Sequence, residues 1–207
     1  KMESYWNDLI LLDTGYYPVT NTLVLSYGAS LRGSPAGSVI AYTGGGTSTN
    51  ACLKIPMGLN GGIRISDLVL TGGYHGIDCA LAQGITITNV TLRGIRGDGI
   101  RAWCCPGIRL SHIQVESSTS MLSGIFLDDC DYCSVSDVRV SGASCHGLGL
   151  KCTDFGQFHN IEVSGCGGSG ISAGGSSSNR FSHCLLWNNN GPGIEFVHVT
   201  EEDWSIY

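Results

Sequence analysis

Between residues 62 and 199 the apolar positions of this chain repeat. Two apolar residues alternate with gaps, two positions are skipped, and two more alternate. The copies are Ile63, Ile65, Leu68, Leu70; Ile85, Ile87, Val90, Leu92; Ile108, Leu110, Ile113, Val115; and Cys133, Val135, Val138, Val140. A fifth keeps Phe158, Ile161, Val163 and a sixth Phe181, Cys184, Leu186. A shorter block follows each copy, in the order glycine, apolar, any residue, apolar. It reads Gly76-Ile77-Asp78-Cys79, Gly99-Ile100-Arg101-Ala102, Gly124-Ile125-Phe126-Leu127, Gly147-Leu148-Gly149-Leu150, Gly170-Ile171-Ser172-Ala173 and Gly193-Ile194-Glu195-Phe196. The spacing of about 23 residues lies in the range of stacked repeats.

Alternation at period two turns one set of side chains inward on a strand. Each copy therefore predicts three short strands: two joined by a tight corner, then the glycine-led one. One such turn cannot bury its inner face alone, but stacked turns bury a continuous apolar column and pair each strand with the next. The pattern predicts an all-β chain, a single-stranded parallel β-helix, with six regular turns over residues 62–199. Residues 1–61 read as a cap and entry turns, and residues 200–207 as a C-terminal cap or the start of a further region. Within 1–61, residues 1–12 hold Trp6 and an apolar run that suits either a helix tail or a first strand. The corner between the first two strands carries its own column: Asp67, Asn89, His112, Asp137, Asn160, His183. Short polar side chains suit a tight bend because they bond to nearby backbone. His112 and His183 lie three turns apart, roughly 14 Å at about 4.8 Å per turn, too far to share an ion, so they read as corner residues.

Before the repeats, the order Gly15-Tyr16-Tyr17, Val19, Thr22-Leu23-Val24-Leu25, Gly28-Ala29-Ser30-Leu31-Arg32-Gly33 and Gly37-Ser38-Val39-Ile40 resembles the entry turn of pectate-lyase-like β-helices. It is most similar to those of bacteriophage tailspikes and related polysaccharide depolymerases. The resemblance implies right-handed winding, a homotrimer that works beside other tail proteins, and a bacterial surface polysaccharide as partner. It also implies a place in the virion tail after assembly in the host cytoplasm; secretion is the alternative.

Composition narrows the classes. Thirty-one glycines with 14% charged residues suit many tight turns. A net charge of −6 argues against nucleic acid, which calls for a basic face. No apolar run reaches the ~18 residues of a membrane span. Of ten cysteines, Cys79, Cys133 and Cys184 fall on inward positions, where a thiol packs as a small hydrophobe. Cys104, Cys105, Cys130 and Cys152 cluster after the glycine-led strand. Buried free thiols are the first reading, with disulfides or a metal behind it; Cys130-x-x-Cys133 stands without a second such pair. No cofactor and no metal are expected.

The outward and flanking residues of the glycine-led strands carry the candidate chemistry. Asp78, Arg101 and Phe126 stand two after the glycine; Trp103, Asp128 and Lys151 stand four after it, with Asp129 next; His75, Asp98 and His146 stand just before it. An aromatic ring among polar groups suits a sugar, which offers apolar C–H faces and hydroxyls. His75, Asp78, Arg101, Trp103, Phe126, Asp129 and Lys151 are therefore the expected binding residues, and Asp98, His146 and Asp128 the expected catalytic ones. Gly97-Asp98-Gly99-Ile100 and Cys145-His146-Gly147-Leu148 also resemble two motifs of polygalacturonases. The position of their middle acidic motif, Leu122-Ser123, holds no carboxylate. Asp98 and Asp128 differ by one turn and five strand positions, roughly 16 Å, beyond the ~6.5–9.5 Å of an inverting hydrolase. Asp98, Ser123 and His146 are in the wrong order for a triad, since the histidine belongs in the middle. A lyase reading would use His146 as base and Arg101 and Lys151 to neutralise a uronate. Three functions follow: a phage-type spike segment that recognises or degrades a bacterial surface polysaccharide, a free-standing hydrolase or lyase, and a non-catalytic spacer or adhesin.

Overall fold

The structure is a computed structural model that describes residues 9–25, 29–45, 50–58, 61–116 and 122–198. The expectations for residues 1–8 and 200–207 lie outside the described residues. Every strand pairing is parallel, and each strand pairs with its counterpart one turn away. One sheet stacks the long strands Arg64–Gly72, Thr86–Arg93, Arg109–Glu116, Ser134–Ser141 and Gln157–Ser164. The other stacks eight short strands, running from Leu23–Val24 through Ala51–Ile55, His75–Ala80, Ile100–Trp103, Ile125–Asp128, Leu148–Lys151 and Ile171–Gly174 to Ile194–Val197. The described residues form a β-solenoid of about eight turns. Leu9–Leu11 is a strand on Ser30–Arg32, and Gly15–Val19 pairs with Ser38–Tyr42, so the entry segment already winds with the repeat. No helix in the described residues is long and apolar enough to cross a membrane.

The predicted corner is present, but in five turns it does not interrupt the strand. Asp67, Asn89, His112, Asp137, Asn160 and His183 all have φ between 52° and 60°. Asn, Asp and His tolerate this left-handed region best after glycine, so one residue kinks a long strand where the sequence pattern predicts two strands. In the sixth turn the corner does separate two strands, Arg180–Ser182 and Leu185–Trp187.

Inward residues form unbroken columns. Ile65, Ile87, Leu110, Val135 and Phe158 are at most 1% exposed, and each such side chain contributes about 1.5–3 kcal/mol of burial. The leading glycines close the section: a Cβ on Gly124 would lie 2.3 Å from Val140 Cγ1 and 2.6 Å from the Gly147 carbonyl oxygen. Glycine thus lets the short strand approach the opposite wall. On the last described strand Phe196 is 71% exposed, although its register partner Ala173 is buried.

Candidate functional site

Register fixes which outward side chains meet on the short-strand sheet. Lys54, Asp78, Arg101, Phe126, Gly149, Ser172 and Glu195 make one row across successive turns. Ala80, Trp103, Asp128, Lys151 and Gly174 make the next. Arg101 and Phe126 pair although 25 residues separate them rather than 23, so the two extra residues leave the face aligned. Asp78, Arg101, Trp103, Phe126, Asp128 and Lys151 therefore share one surface. Trp103 is 44% exposed. Phe126 leans along the solenoid axis: its Cδ2 is 2.9 Å from where a Gly149 Cβ would sit.

Two ion pairs lie on this face. Lys151 Nζ lies 3.8 Å from Asp128 Oδ2, with side chains 14% and 17% exposed. Lys54 Nζ lies 3.6 Å from Asp78 Oδ2. Burial lifts the Asp128 carboxyl above its ordinary range, while the Lys151 charge opposes the rise. Lys54 is absent from the predicted set because its turn lacks the leading glycine; the apolar frame Leu53-Lys54-Ile55 was its remaining signal.

Behind one edge of the face stands a second column. His75 and Asp98 are 3% and 6% exposed. The Asp98 N–H lies 3.1 Å from His75 Nδ1, Asp98 Oδ2 lies 3.4 Å from the same nitrogen, and Arg101 Nη1 lies 3.3 Å from Nε2. The Ser123 N–H donates to Asp98 Oδ1 at 3.0 Å. Burial pushes the Asp98 carboxyl up to about 6; the Ser123 bond and the Arg101 charge pull against it, and the Asp78 charge adds to it. His75 is thus sealed between Asp98 and Arg101, out of reach of an outside ligand. Its influence runs through those two neighbours.

His146 lies two turns beyond Asp98, half-buried. The Ser169 N–H donates to His146 Nδ1 at 3.1 Å, so the neutral ring carries its proton on Nε2. Burial lowers its pKa and the Glu195 charge opposes this. Ser169 Oγ donates to Glu195 Oε2 at 2.5 Å, which brings Glu195 into the region although it was outside the predicted set. Asp129 does not join the face. It has φ 54°, accepts from Cys104 Sγ at 3.0 Å, and borders a hollow of about 380 Å³ shared with Leu81, Pro106 and Asp131. A second hollow of about 330 Å³ opens at the corner column around His112, Asp137 and Arg139.

All ten cysteines are free thiols. Cys52 and Cys133 are fully buried and pack as hydrophobes, and that burial raises their thiols to about 12. Among the described residues, no group of three His, Cys, Asp or Glu side chains is arranged to hold a metal ion.

Residues 55–201 match the family model described as right handed beta helix region. No curated protein matches significantly. Among solved structures, the Dettilon tailspike protein is similar over 92% of this chain and 40% of its own, at 17% identity and a TM-score of 0.72. The catalytic domain of a GH87 α-1,3-glucanase in complex with nigerose is similar over 84% of this chain and 34% of its own, at 14% identity and a TM-score of 0.70. The catalytic unit of the thermostable GH87 α-1,3-glucanase of Streptomyces thermodiastaticus strain HF3-3 gives 12% identity and a TM-score of 0.63, over 94% and 42%. The chain spans between 34% and 42% of these structures. At such identities the likeness is one of fold.

Proposed function

This chain belongs to the right-handed β-helix family, and on that premise we propose that it recognises a bacterial surface polysaccharide on the outer face of the short-strand sheet. The proposed setting is a homotrimeric phage-type tail spike or fibre, placed in the virion tail beside other tail proteins. The observation that carries the reading is the register-locked surface of Trp103 and Phe126 among Asp78, Arg101, Asp128 and Lys151. Rings take the C–H faces of a sugar while the flanking groups take its hydroxyls. The likeness to a tailspike fold over 92% of the chain supports the setting, and the glucanase folds support a polysaccharide partner.

A second reading has one observation in its favour. Asp98, with its carboxyl near pH 6, suits a general acid for glycoside hydrolysis. The carboxylate whose charge acts on it is Asp78. Asp128, five strand positions away, is spent on Lys151. The His146 lone pair at Nδ1 is taken up by Ser169, which argues against the lyase base.

The test is glycan-array binding followed by titration. Trp103→Ala is expected to weaken binding at least tenfold with the fold intact; unchanged binding would remove the face from consideration. Product release lost in Asp98→Asn favours the hydrolase, and absence of release with binding retained favours recognition alone. Light scattering under reducing conditions tests the trimer.

A further inference from the structure

We infer that this face takes an uncharged glycan and turns away polymers of uronic acids. The inference rests on the proposed polysaccharide recognition and names its substrate class. Three cations reach the two outward rows: Lys54, Arg101 and Lys151. Each is already engaged. Lys54 is held by Asp78 and Lys151 by Asp128, while Arg101 contacts the His75 ring and its charge acts on both Asp98 and Asp128.

Four carboxyls stand with these cations: Asp78, Asp98, Asp128 and Glu195. These seven groups balance to neutral when Asp98 holds its proton and to negative when it does not, and the Asp129 charge acting on Asp128 adds to the negative side. A uronate on the Trp103 ring would meet Asp128, the register partner of Trp103. To gain a cation it would have to draw Lys151 off Asp128, leaving a half-buried carboxylate unpaired, which is costly. A neutral sugar asks for no such exchange. Its hydroxyls donate to Asp78 and Asp128 and accept from Arg101 and Lys151 while both ion pairs stay closed.

The same pairing bears on reaction class. β-Elimination needs a uronate whose carboxylate is neutralised, and on this face Lys54 and Lys151 already sit against carboxylates while Arg101 contacts the His75 ring. A face that takes uncharged glycans meets no uronate to eliminate, so cleavage at this site, where it occurs, is hydrolytic.

The test uses the full chain and its tryptophan fluorescence. It is titrated at low salt with oligosaccharides of neutral glucans, mannans and galactans, and with oligogalacturonate and oligoalginate of matched length. The expected result is binding to a neutral oligosaccharide at least tenfold tighter than to either uronate, with little salt dependence. Asp128→Asn, which releases Lys151, is expected to narrow that ratio at least threefold by improving uronate binding. Tighter binding of a uronate by the native chain overturns the inference and leaves polysaccharide recognition standing. Binding of neither class overturns both. A neutral preference that Asp128→Asn and Asp78→Asn leave untouched overturns the paired cations as its cause.

Discussion

Two columns of polar residues climb this solenoid, and they use the same residue types to opposite ends. The corner of the long strands carries Asp67, Asn89, His112, Asp137, Asn160 and His183, largely open to solvent. The column before the short strands carries His75, Asp98, Ser123, His146 and Ser169, of which all but His146 are at most 6% exposed. In the corner, Asn89 Nδ2 donates to Asp67 Oδ1 and Asn160 Nδ2 to Asp137 Oδ1, both at 2.8 Å. These bonds hold both carboxyls below their ordinary range. Behind the short strands, burial lifts Asp98 to about 6. An aspartate in a hydrated ladder supports the turn; one withdrawn from water retains a proton to give. Environment separates them, and perturbed groups of the second kind cluster at functional sites.

Four measurements would break or sharpen this contrast. The largest effect is expected where the second column has its foundation. Gly124→Ala drives a methyl into Val140 Cγ1 and the Gly147 carbonyl, so it should lower the unfolding free energy by about 1–3 kcal/mol. A urea midpoint equal to the native one would show that the wall yields.

Asp98 gives an effect of similar size with a definite pH sign. Its folded carboxyl keeps its proton to about pH 6, whereas an unshifted aspartate loses it near 3.8. Between those values the unfolded chain binds fewer protons, so stability falls as pH rises, by about 3 kcal/mol across the window. Asp98→Asn should flatten that fall and leave the protein more stable at pH 7. Asp67 and Asp137, shifted down, contribute in the reverse sense: their stabilisation is present above the ordinary carboxylate range and fades as pH drops through it. Urea melts at closely spaced pH values read both signs, and a rise in stability between pH 4 and 6 that Asp98→Asn abolishes would contradict the assignment.

A smaller loss belongs to the corner. Asn89→Ala places a poor left-handed residue at φ 52° and removes the bond to Asp67, at a cost of about 1–2 kcal/mol. Asn89→Gly should recover much of it, and equal melting curves for the two variants would deny the backbone origin of the preference. Smallest of all is the exposed Arg139–Glu162 pair at 2.8 Å. Its double-mutant coupling should be about 0.2–1 kcal/mol and vanish in molar salt.

How much of this was legible beforehand follows from what each feature depends on. The β-helix, its period and the tight corner depend on residues within one turn, and the alternation of Ile85, Ile87, Val90 and Leu92 announces them. The expected burial of Cys79 and Cys133 follows from the same alternation, and both are fully buried. His75 and Asp129 show the limit. Both stand beside the glycine-led strand in sequence, yet one is sealed beneath Arg101 and the other turns with a positive φ into a separate hollow. Lys54 was hidden by the missing glycine of its turn, and Asp78 is coupled to Asp98 across a strand boundary that no local motif crosses.

The sequence by itself determined the architecture, because period-two alternation is a property of neighbours along the chain and stacking is the one way such turns bury their inner faces. It also determined which residues point outward on the glycine-led short strands. The tertiary structure alone decided which of those outward residues are paired, sealed or open. Those outcomes arise between side chains about 23 residues apart, as with Lys151 on Asp128 and Arg101 on His75. They depend on rotamer, burial and register together, and no single turn of the repeat holds that information.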